Sequence, residues 1–438
     1  MTKESKIRLF VYIIISGFII SVLYHLMQVF FWGKPNFPYN TFLFDPADRF
    51  NDFINLCKKP EISSYYPFAN VFISLFSYIK PLNLSLLFFL LFSSIGIVLY
   101  FWTYLHGDSF RKSIFNTFVF FCCSFPVLFL LDRANFESFV FFSLCLFIYF
   151  FQKKQYAYSI IPLSCAIAMK LFPAFLLILF ISNRTYKYIL WTILFVLFLS
   201  FFSTWMLYGS IENYITLYKQ NTKGLIDAYI IGDMGLDYGH SLFGLLKLVL
   251  RATQSRDYWI QCKLNQYTFV TLVIAGCISL YTIFIEQEFW KKVTLIVIGF
   301  CLLPQMSGAY KLMHFFIPIF LFINAKEMKL DFVLKKKKFW TNNKLFDYFY
   351  CILFALLLIP KNYRYFFNNM SRSWYWEPIS QSLKECVCCY AGVYIDPIIM
   401  LILAFLIMGS GMMTFDFYNQ KKINSIMKRY KVKGKSEK

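Results

Sequence analysis

Charged side chains are scarce in this sequence, and their scarcity excludes a large class of proteins. Among the 438 residues, 15% are Asp, Glu, Lys or Arg, whereas 59% are hydrophobic and 22% are aromatic. Soluble globular domains carry about 25% charged residues, so the composition excludes an ordinary soluble fold. Long apolar runs occupy most of the chain instead, and they predict a polytopic membrane protein.

Histidine and paired metal-binding motifs are scarce as well. The chain has four histidines, and most of its twelve cysteines lie in apolar runs, where a thiol behaves as a small hydrophobic group. Cys386, Cys388 and Cys389 cluster in a predicted outer loop, where free thiols, a disulfide within the loop and a disulfide to Cys57 are all open. Because neither a second ligand pair nor a histidine accompanies the cluster, we predict no metal site and no cofactor.

Positive charge is concentrated beside the predicted membrane spans. The net charge is +21, and much of it comes from the stretch Lys326–Lys344 and from the tail after Lys421. Basic clusters that flank spans mark the cytoplasmic side and contact anionic lipids. We therefore expect membrane lipids rather than nucleic acid as partners, and a basic cytoplasmic tail over residues 417–438.

The apolar runs are numerous enough for about twelve helical passes. They lie at residues 9–32, 84–105, 114–131, 136–151, 156–182, 188–207, 266–285, 291–324, 345–360 and 396–415. Runs 156–182 and 291–324 are too long for one pass, so each is predicted to be a hairpin. Since no internal repeat or linker is found, we predict one domain over residues 1–438. Its fold class is an all-α membrane bundle with amphipathic helices in the outer loops.

Both termini are predicted to be cytoplasmic, which leaves three larger loops outside: 33–83, 208–265 and 361–395. Smaller outer turns carry the polar residues Asp132, Arg133, Asn135, Glu137, Lys170, Tyr310 and Lys311. Ionisable groups at membrane depth cost about 2.5–3.5 kcal/mol each and are kept mainly where they have a partner or a function. We therefore expect these groups to meet at the outer face. Simple hairpin capping by Arg133 and headgroup contact by Lys170 are the alternatives.

The first outer loop contains the densest group of carboxylates. Asp45–Pro46 is a typical helix start, because the aspartate caps orphan amides and proline has no amide hydrogen to lose. At 100° per residue, Asp48, Asp52 and Asn55 lie on one face of the predicted helix. The other face carries apolar residues, Phe50, Phe53 and Ile54. The pattern predicts a short amphipathic helix whose acids either face water or serve as a general base.

Four stretches together give the chain a family resemblance. They are DRFNDFIN (48–55) with YYPFANVF (65–72), LDRANFESFVFF (131–142), AIAMKLFPAFLL (166–177) and LPQMSGAYKLMHFFIPIF (303–320). In their order and spacing the sequence resembles the GT-C superfamily of membrane glycosyltransferases. It is most similar to glycosyltransferase family 87, the polyprenol-phosphate-sugar-dependent mannosyltransferase group.

The resemblance implies an extracytoplasmic active site and a polyprenyl-phosphate donor of a mannose-like hexose or a pentose. It also implies a lipid-linked or cell-envelope glycan as acceptor, and an aspartate in the first outer loop that deprotonates the acceptor hydroxyl. Asp52 matches that acidic position best, and Asp48 is the second choice. Ala134 stands where many members of the family have glycine.

A carboxylate base beside cations suits the transfer of a group from a phosphate. Cations placed near a developing phosphate charge stabilise it most in a site of low dielectric constant. The predicted substrate-binding residues are Arg133, Asn135, Lys170, Tyr310, Lys311, His314 and His240. Of the two histidines, His314 lies one turn beyond Lys311, whereas His240 is isolated in the sequence. No metal is required by this chemistry.

Two other functions fit a membrane protein with polar outer turns. A transporter or flippase of lipid-linked sugars would place its ionisable residues near the midplane and often shows repeats, neither of which is found here. A ligase or polymerase of surface glycans would also have a large outer loop. We expect the protein in a bacterial inner membrane, with its active site on the extracytoplasmic side.

Overall fold

The structure is a computed structural model, and it describes residues 1–32, 49–58, 65–107, 109–232, 236, 239–252, 257–325, 343–361, 363–367 and 387–412. The candidate base Asp48 and the predicted cap Asp45 lie outside the described residues. The basic tail 417–438, Cys386 and most of the stretch Lys326–Lys344 lie outside them too.

Helices account for almost all of these residues. In chain order they are α1 (Lys3–Trp32), α2 (Asn51–Lys58), α3 (Pro67–Ser77), α4 (Leu82–Leu105), α5 (Phe110–Cys122), α6 (Phe125–Asp132), α7 (Glu137–Gln152), α8 (Tyr156–Met169), α9 (Leu177–Ser182), α10 (Lys187–Tyr208), α11 (Ile211–Leu225), α12 (Leu242–Ala252), α13 (Asp257–Phe284), α14 (Phe289–Leu302), α15 (Phe316–Asn324), α16 (Asn343–Leu358) and α17 (Gly392–Met412). Segments of 3₁₀ helix at Phe172–Leu176 and Ala309–Phe315 precede α9 and α15, and a π-helical segment, Ile226–Ile231, follows α11. An antiparallel pair of short strands, β1 (Arg364–Phe367) and β2 (Val387–Tyr390), lies in the predicted outer loop 361–395.

Five helices are long and apolar enough to cross a membrane. They are Lys3–Tyr24, Leu82–Leu105, Lys187–Tyr208, Lys263–Phe284 and Gly392–Met412. The pair α5 and α6 passes the same test if its 57° bend lies within one span, so the described residues contain five or six candidate spans. Large apolar side chains such as Leu197, Phe201 and Trp205 are exposed on α10. Exposed apolar surface of this kind is stable against lipid, so the fold is that of a helical membrane protein.

Shorter apolar helices form broken elements within the bundle. α8 ends at Met169, Lys170 lies at the break, and the chain continues as 3₁₀ helix and α9 to Ser182. The 14 residues of α8 extend about 21 Å at 1.5 Å per residue, which is less than the bilayer core of about 30 Å. This break falls where the sequence predicted the tip of a hairpin over residues 156–182.

Contacts between helix termini distinguish two ends of the bundle. At one of them, the basic end, Lys6 donates to the carbonyl of Phe322 at 3.1 Å and Lys291 donates to Ser410 at 3.1 Å. The rings of Trp290 and Phe322, 4.9 Å apart, connect these contacts. Termini of α1, α14, α15 and α17 therefore lie together at the basic end.

The other end of the bundle, the site end, contains the opposite termini of these helices. Tyr267, in the first half of α13, donates to the carbonyl of Leu303, just after α14, at 2.8 Å. Lys361, just after α16, lies 3.0 Å from the carboxylate of Asp396, near the start of α17. The turn between α6 and α7 is also at this end, and it holds the candidate site.

The start of α2 differs from the sequence prediction. Helix was expected from Pro46 onward, but Phe50 has a left-handed φ of 60° and α2 begins only at Asn51. The amide of Phe50 donates to the carbonyl of Asp132 at 2.9 Å, so a long-range contact replaces the local helical bond. The described part of this segment is therefore helical only from Asn51, and the predicted i, i+4 relation of Asp52 to Asp48 lies partly outside the described residues. The apolar face of α2 is as predicted at Phe53, which is buried.

Candidate functional site

The turn between α6 and α7 has a regular helix-terminating geometry. The amide of Asn135 donates to the carbonyl of Leu130 at 3.0 Å, and that of Ala134 donates to Leu131 at 2.9 Å. These two bonds make a Schellman motif, in which the residue after the helix cap is left-handed. That residue is Ala134, with φ 46°. The motif aligns Arg133 and Asn135 on the same turn, directed at α2.

Glycine at position 134 is expected to stabilise the protein. An L-residue in the left-handed region costs about 1–2 kcal/mol, and the greater freedom of glycine in the unfolded chain offsets about 0.4–1 kcal/mol of that gain. Ala134→Gly should therefore raise the free energy of unfolding by about 0.5–1 kcal/mol, measured by thermal unfolding in detergent. Ala166→Gly, inside α8, is the control and should lower it by about 1 kcal/mol. A lower midpoint for Ala134→Gly would contradict the assigned backbone strain.

Asp52, at the start of α2, contacts both polar residues of this turn. Nε of Arg133 donates to Oδ2 of Asp52 at 3.3 Å, and the guanidinium also contacts Oδ1. Nδ2 of Asn135 donates to Oδ2 at 2.6 Å. The side chains of Asp52 and Arg133 are 16% and 17% exposed, so this ion pair is enclosed but reachable. We call these three residues the outer cluster.

A second ion pair holds the chain just before Asp52. Nε of Arg49 lies 3.2 Å from Oδ1 of Asp132, whose side chain is buried. The carbonyl of Asp132 accepts the amide of Phe50, as described above. One residue of the α6–α7 turn therefore binds the α2 segment through both its side chain and its main chain, and this fixes the entry of Asp52 into the outer cluster.

Glu137, the first residue of α7, is the centre of an inner cluster. Its carboxylate is fully buried, contacts the ammonium of Lys170 and accepts a hydrogen bond from Nε2 of His314 at 2.6 Å. Its amide donates to Oδ1 of Asn135 at 2.8 Å, which joins the inner and outer clusters. A carboxylate at a helix N-terminus is also favoured by the helix dipole. Three parts of the chain therefore meet at one buried carboxylate: the start of α7, the break after α8 at Lys170, and the 3₁₀ segment 309–315.

Two tyrosine rings enclose the ammonium of Lys170. Its Nζ lies 5.1 Å from the ring centre of Tyr65 and 5.0 Å from that of Tyr310, within the range of cation–π attraction. Burial raises the pKa of Tyr65, and the nearby charges of Lys170 and Asp52 act on it in opposite directions. Tyr65 therefore stays a neutral phenol between the outer and inner clusters.

Lys311 is a buried ammonium without a counter-ion among the described residues. The residue is 8% exposed, and its Nζ lies 4.8 Å from the ring centre of Phe172, with no hydrogen bond or ion pair to a described side chain. Nδ1 of His314 is likewise buried without a partner in the described part of the chain. Unpaired buried cations are costly and are commonly found where an anionic ligand binds.

His240 lies apart from both clusters. Its Nε2 is 2.9 Å from Oγ of Ser307, and its amide donates to the carbonyl of the same serine at 3.1 Å. Burial lowers the pKa of His240 to about 3, and the positive charges of Lys311 and Lys361 add to that effect. His240 is therefore neutral near pH 7, and it joins the 239–241 segment to the loop before Lys311 rather than contacting Asp52.

The structure brings most of the sequence-predicted residues together. Arg133 and Asn135 contact Asp52, Lys170 and His314 contact Glu137, Tyr310 covers Lys170, and Lys311 lies beside this group, whereas His240 is separate. Sequence reasoning treated Glu137 and Asp132 only as turn residues and gave no role to Arg49 or Tyr65. The one sequence signal that indicated a role for Glu137 was its position as an acidic residue at the start of the apolar run 136–151. No group of three or more metal-ligating side chains occurs within the described ranges.

Comparison of the chain with known protein families, with curated proteins and with solved structures finds no match.

Proposed function

We propose that the protein is a membrane glycosyltransferase that moves a sugar from a polyprenyl phosphate to a glycan or glycolipid acceptor. The observation that carries the proposal is the composition of the site. A reachable carboxylate, Asp52, is joined through Asn135 and Glu137 to the buried Lys170. The buried Lys311 belongs to the same site and has no counter-ion among the described residues. A base and an anion-binding group are the two requirements for displacing a phosphate by a hydroxyl. The GT-C resemblance and the apolar bundle agree with a lipid-linked donor.

In the proposed reaction, the acceptor hydroxyl oxygen attacks the anomeric carbon of the donor sugar. The new glycosidic C–O bond forms as the bond from that carbon to the phosphate oxygen breaks, with inversion. Asp52 takes the hydroxyl proton, and the bonding electron pair leaves with the polyprenyl phosphate. Asn135 holds the carboxylate of Asp52 in place through its hydrogen bond to Oδ2.

The leaving phosphate gains negative charge, so it needs cations in a site with little water. Lys311 is the best placed, because its ammonium lies against the ring of Phe172 and makes no ion pair or hydrogen bond with a described side chain. The charge of Lys170 is neutralised by Glu137, and its ammonium lies between the rings of Tyr65 and Tyr310. Lys170 therefore contributes less than Lys311 to stabilising the phosphate. Fixed charges of this kind act most strongly where the dielectric constant is low.

Within this proposal the bundle has twelve passes, and its basic end faces the cytoplasm. Support comes from the order of the elements, because successive passes run in opposite directions between the two ends. The twelve passes are α1, α4, α5 with α6, α7, α8, the 172–182 segment, α10, α13, α14, the 309–324 segment, α16 and α17. Basic residues such as Lys112, Lys154 and Arg184 lie at one end of these elements, as the positive-inside rule requires of a cytoplasmic face. The site end is then extracytoplasmic, and the membrane is proposed to be a bacterial inner membrane.

The orientation is tested by cysteine accessibility in intact cells. In a background without reactive native cysteines, Ser210→Cys at the site end should react with a membrane-impermeant thiol reagent. Lys154→Cys and Arg184→Cys, at the basic end, should react only after the cells are opened. Labelling of all three in intact cells, or the reverse order, would contradict the proposed topology.

Replacing Lys311 should separate function from stability. Lys311→Met removes a buried charge that has no counter-ion in the described part of the chain, and it keeps most of the side-chain volume, so the thermal midpoint should stay the same or rise. Affinity for a polyprenyl phosphate should fall about tenfold or more, because a charge-assisted contact is lost. Lys263→Met, on an exposed part of α13, is the control and should change neither quantity. A large loss of stability with unchanged affinity would show that Lys311 is structural.

The overall function is tested by a transfer assay with a panel of polyprenyl-phosphate sugars in lipid vesicles. Formation of a glycosidic product supports the proposal. Movement of the intact donor lipid across the vesicle without product would favour the flippase, and joining of whole glycan chains would favour a ligase or polymerase.

A further inference from the structure

Asp52 and Arg133 form an ion pair with each other in this structure. The guanidinium contacts both carboxylate oxygens, and Asn135 donates to Oδ2 as well. A carboxylate has about four acceptor positions, so described residues already fill three of them. Asp52 in this state is bound as a counter-ion, and it is poorly placed to accept the proton of an incoming hydroxyl.

A phosphate competes naturally for the same guanidinium. The planar fork of arginine binds carboxylate and phosphate with the same two-point geometry. Because the side chains of Asp52 and Arg133 are 16% and 17% exposed, a ligand can reach the pair. Two anions on one guanidinium repel each other, so a phosphate that binds Arg133 weakens the hold of Arg133 on Asp52.

Asn135 is arranged to keep Asp52 in position after such an exchange. Its Oδ1 accepts the amide of Glu137 at 2.8 Å, which fixes the orientation of the side-chain amide. Its Nδ2 then donates to Oδ2 of Asp52 independently of Arg133. The Arg49–Asp132 pair holds the main chain just before Asp52. Release by Arg133 therefore frees Oδ1 without moving α2.

We propose that the donor phosphate displaces Asp52 from Arg133, so that donor binding releases the carboxylate that serves as the base. This inference rests on the proposed function and specifies its regulation. Before the donor arrives, the base is neutralised by Arg133, and an acceptor hydroxyl finds no free carboxylate. The reaction is therefore ordered, with the donor binding first, and the site does not activate an acceptor or water in the absence of donor.

The test measures binding of decaprenyl phosphate, with neutral decaprenol as the reference ligand. If Asp52 competes with the phosphate for Arg133, Asp52→Asn should bind decaprenyl phosphate about tenfold or more tightly than the wild type. Decaprenol affinity should not change. Unchanged or weaker binding of decaprenyl phosphate by folded Asp52→Asn would overturn the proposal.

A double-mutant cycle separates exchange from simple repulsion. Through-space repulsion by Asp52 would persist without Arg133, whereas competition for Arg133 would not. Asp52→Asn should therefore give no tighter binding in an Arg133→Gln background. A gain of the same size in that background would refute the exchange. Glu212→Gln, an exposed carboxylate on α11, is the matched control and should leave the affinity unchanged.

A second measurement uses the unaltered protein, in case Asp52→Asn does not fold. Decaprenyl phosphate should increase the labelling of Asp52 by a carboxyl-directed carbodiimide, detected by mass spectrometry, because the released carboxylate becomes accessible. Unchanged labelling or protection by decaprenyl phosphate would contradict release. Failure of the proposed function looks different: the wild type then forms no glycosidic product and does not prefer decaprenyl phosphate to decaprenol.

Discussion

Asp52→Asn is expected to lower the rate of sugar transfer by about 10²–10⁴-fold, the usual contribution of a general base. The amide cannot take the proton of the acceptor hydroxyl, yet it keeps the shape of the side chain and its hydrogen bond with Asn135. The measurement is the initial rate of glycosidic product formation at saturating donor, in purified protein reconstituted into vesicles.

Two features make this expectation specific. The loss should appear in kcat, while the affinity for the donor phosphate should be raised, because the guanidinium of Arg133 loses a competing carboxylate. Glu212→Gln removes a carboxylate from the same end of the bundle and should retain full activity. Asp48→Asn tests the second choice from the sequence. Full activity of Asp52→Asn would remove Asp52 as the base.

Glu137→Ala is expected to give the largest loss of stability. Its carboxylate is fully buried and contacts both Lys170 and His314. Removing one member of a buried ion pair costs about 3–5 kcal/mol, because the remaining charge is left unpaired in a medium of low dielectric constant. The free energy of unfolding should therefore fall by about that amount, as measured by denaturant or thermal unfolding in detergent.

Replacing both Glu137 and Lys170 distinguishes the cost of an unpaired buried charge from the cost of lost side-chain volume. Glu137→Leu with Lys170→Met removes both charges and should cost less than the sum of the two single changes. Ser138→Ala, the next buried residue on α7, loses only a hydrogen bond and should cost about 1 kcal/mol. A loss of similar size for Ser138→Ala and Glu137→Ala would mean that packing, rather than the inner cluster, stabilises this turn.

The long apolar elements could be predicted closely from the sequence. The run 84–105 corresponds to α4 at Leu82–Leu105, and the run 188–207 corresponds to α10 at Lys187–Tyr208. Prediction succeeds here because a helix in lipid must satisfy its own backbone hydrogen bonds and expose apolar side chains along its whole length. Both requirements are local, so composition and length are enough.

The start of α2 could not be predicted in the same way. Asp45–Pro46 is a good local helix start, but the structure begins the helix at Asn51 because Arg49 and Phe50 bind Asp132. A contact between residues more than 80 positions apart outweighs a capping preference of about 1 kcal/mol. Local signals do not contain that information.

In the candidate site, too, some features could be predicted from the local sequence and others depended on long-range contacts. Its acids and cations were recognisable in the sequence, since each interrupts or borders an apolar run and so needs a reason to be there. Their pairing was not recognisable. Arg133 was expected to bind a phosphate and contacts Asp52 instead. Glu137 was given only a place in an outer turn, and it lies between Lys170 and His314.

The sequence by itself therefore determined that this protein is helical, lies in a membrane and carries its unusual charges at a few turns, because the energetic cost of placing polar groups in lipid acts on each segment separately. Only the tertiary structure decided which charges neutralise one another and that Lys311 has no described counter-ion. The reason is that ion pairing depends on distances between segments that are remote in the chain, and those distances are set by the packing of the whole bundle.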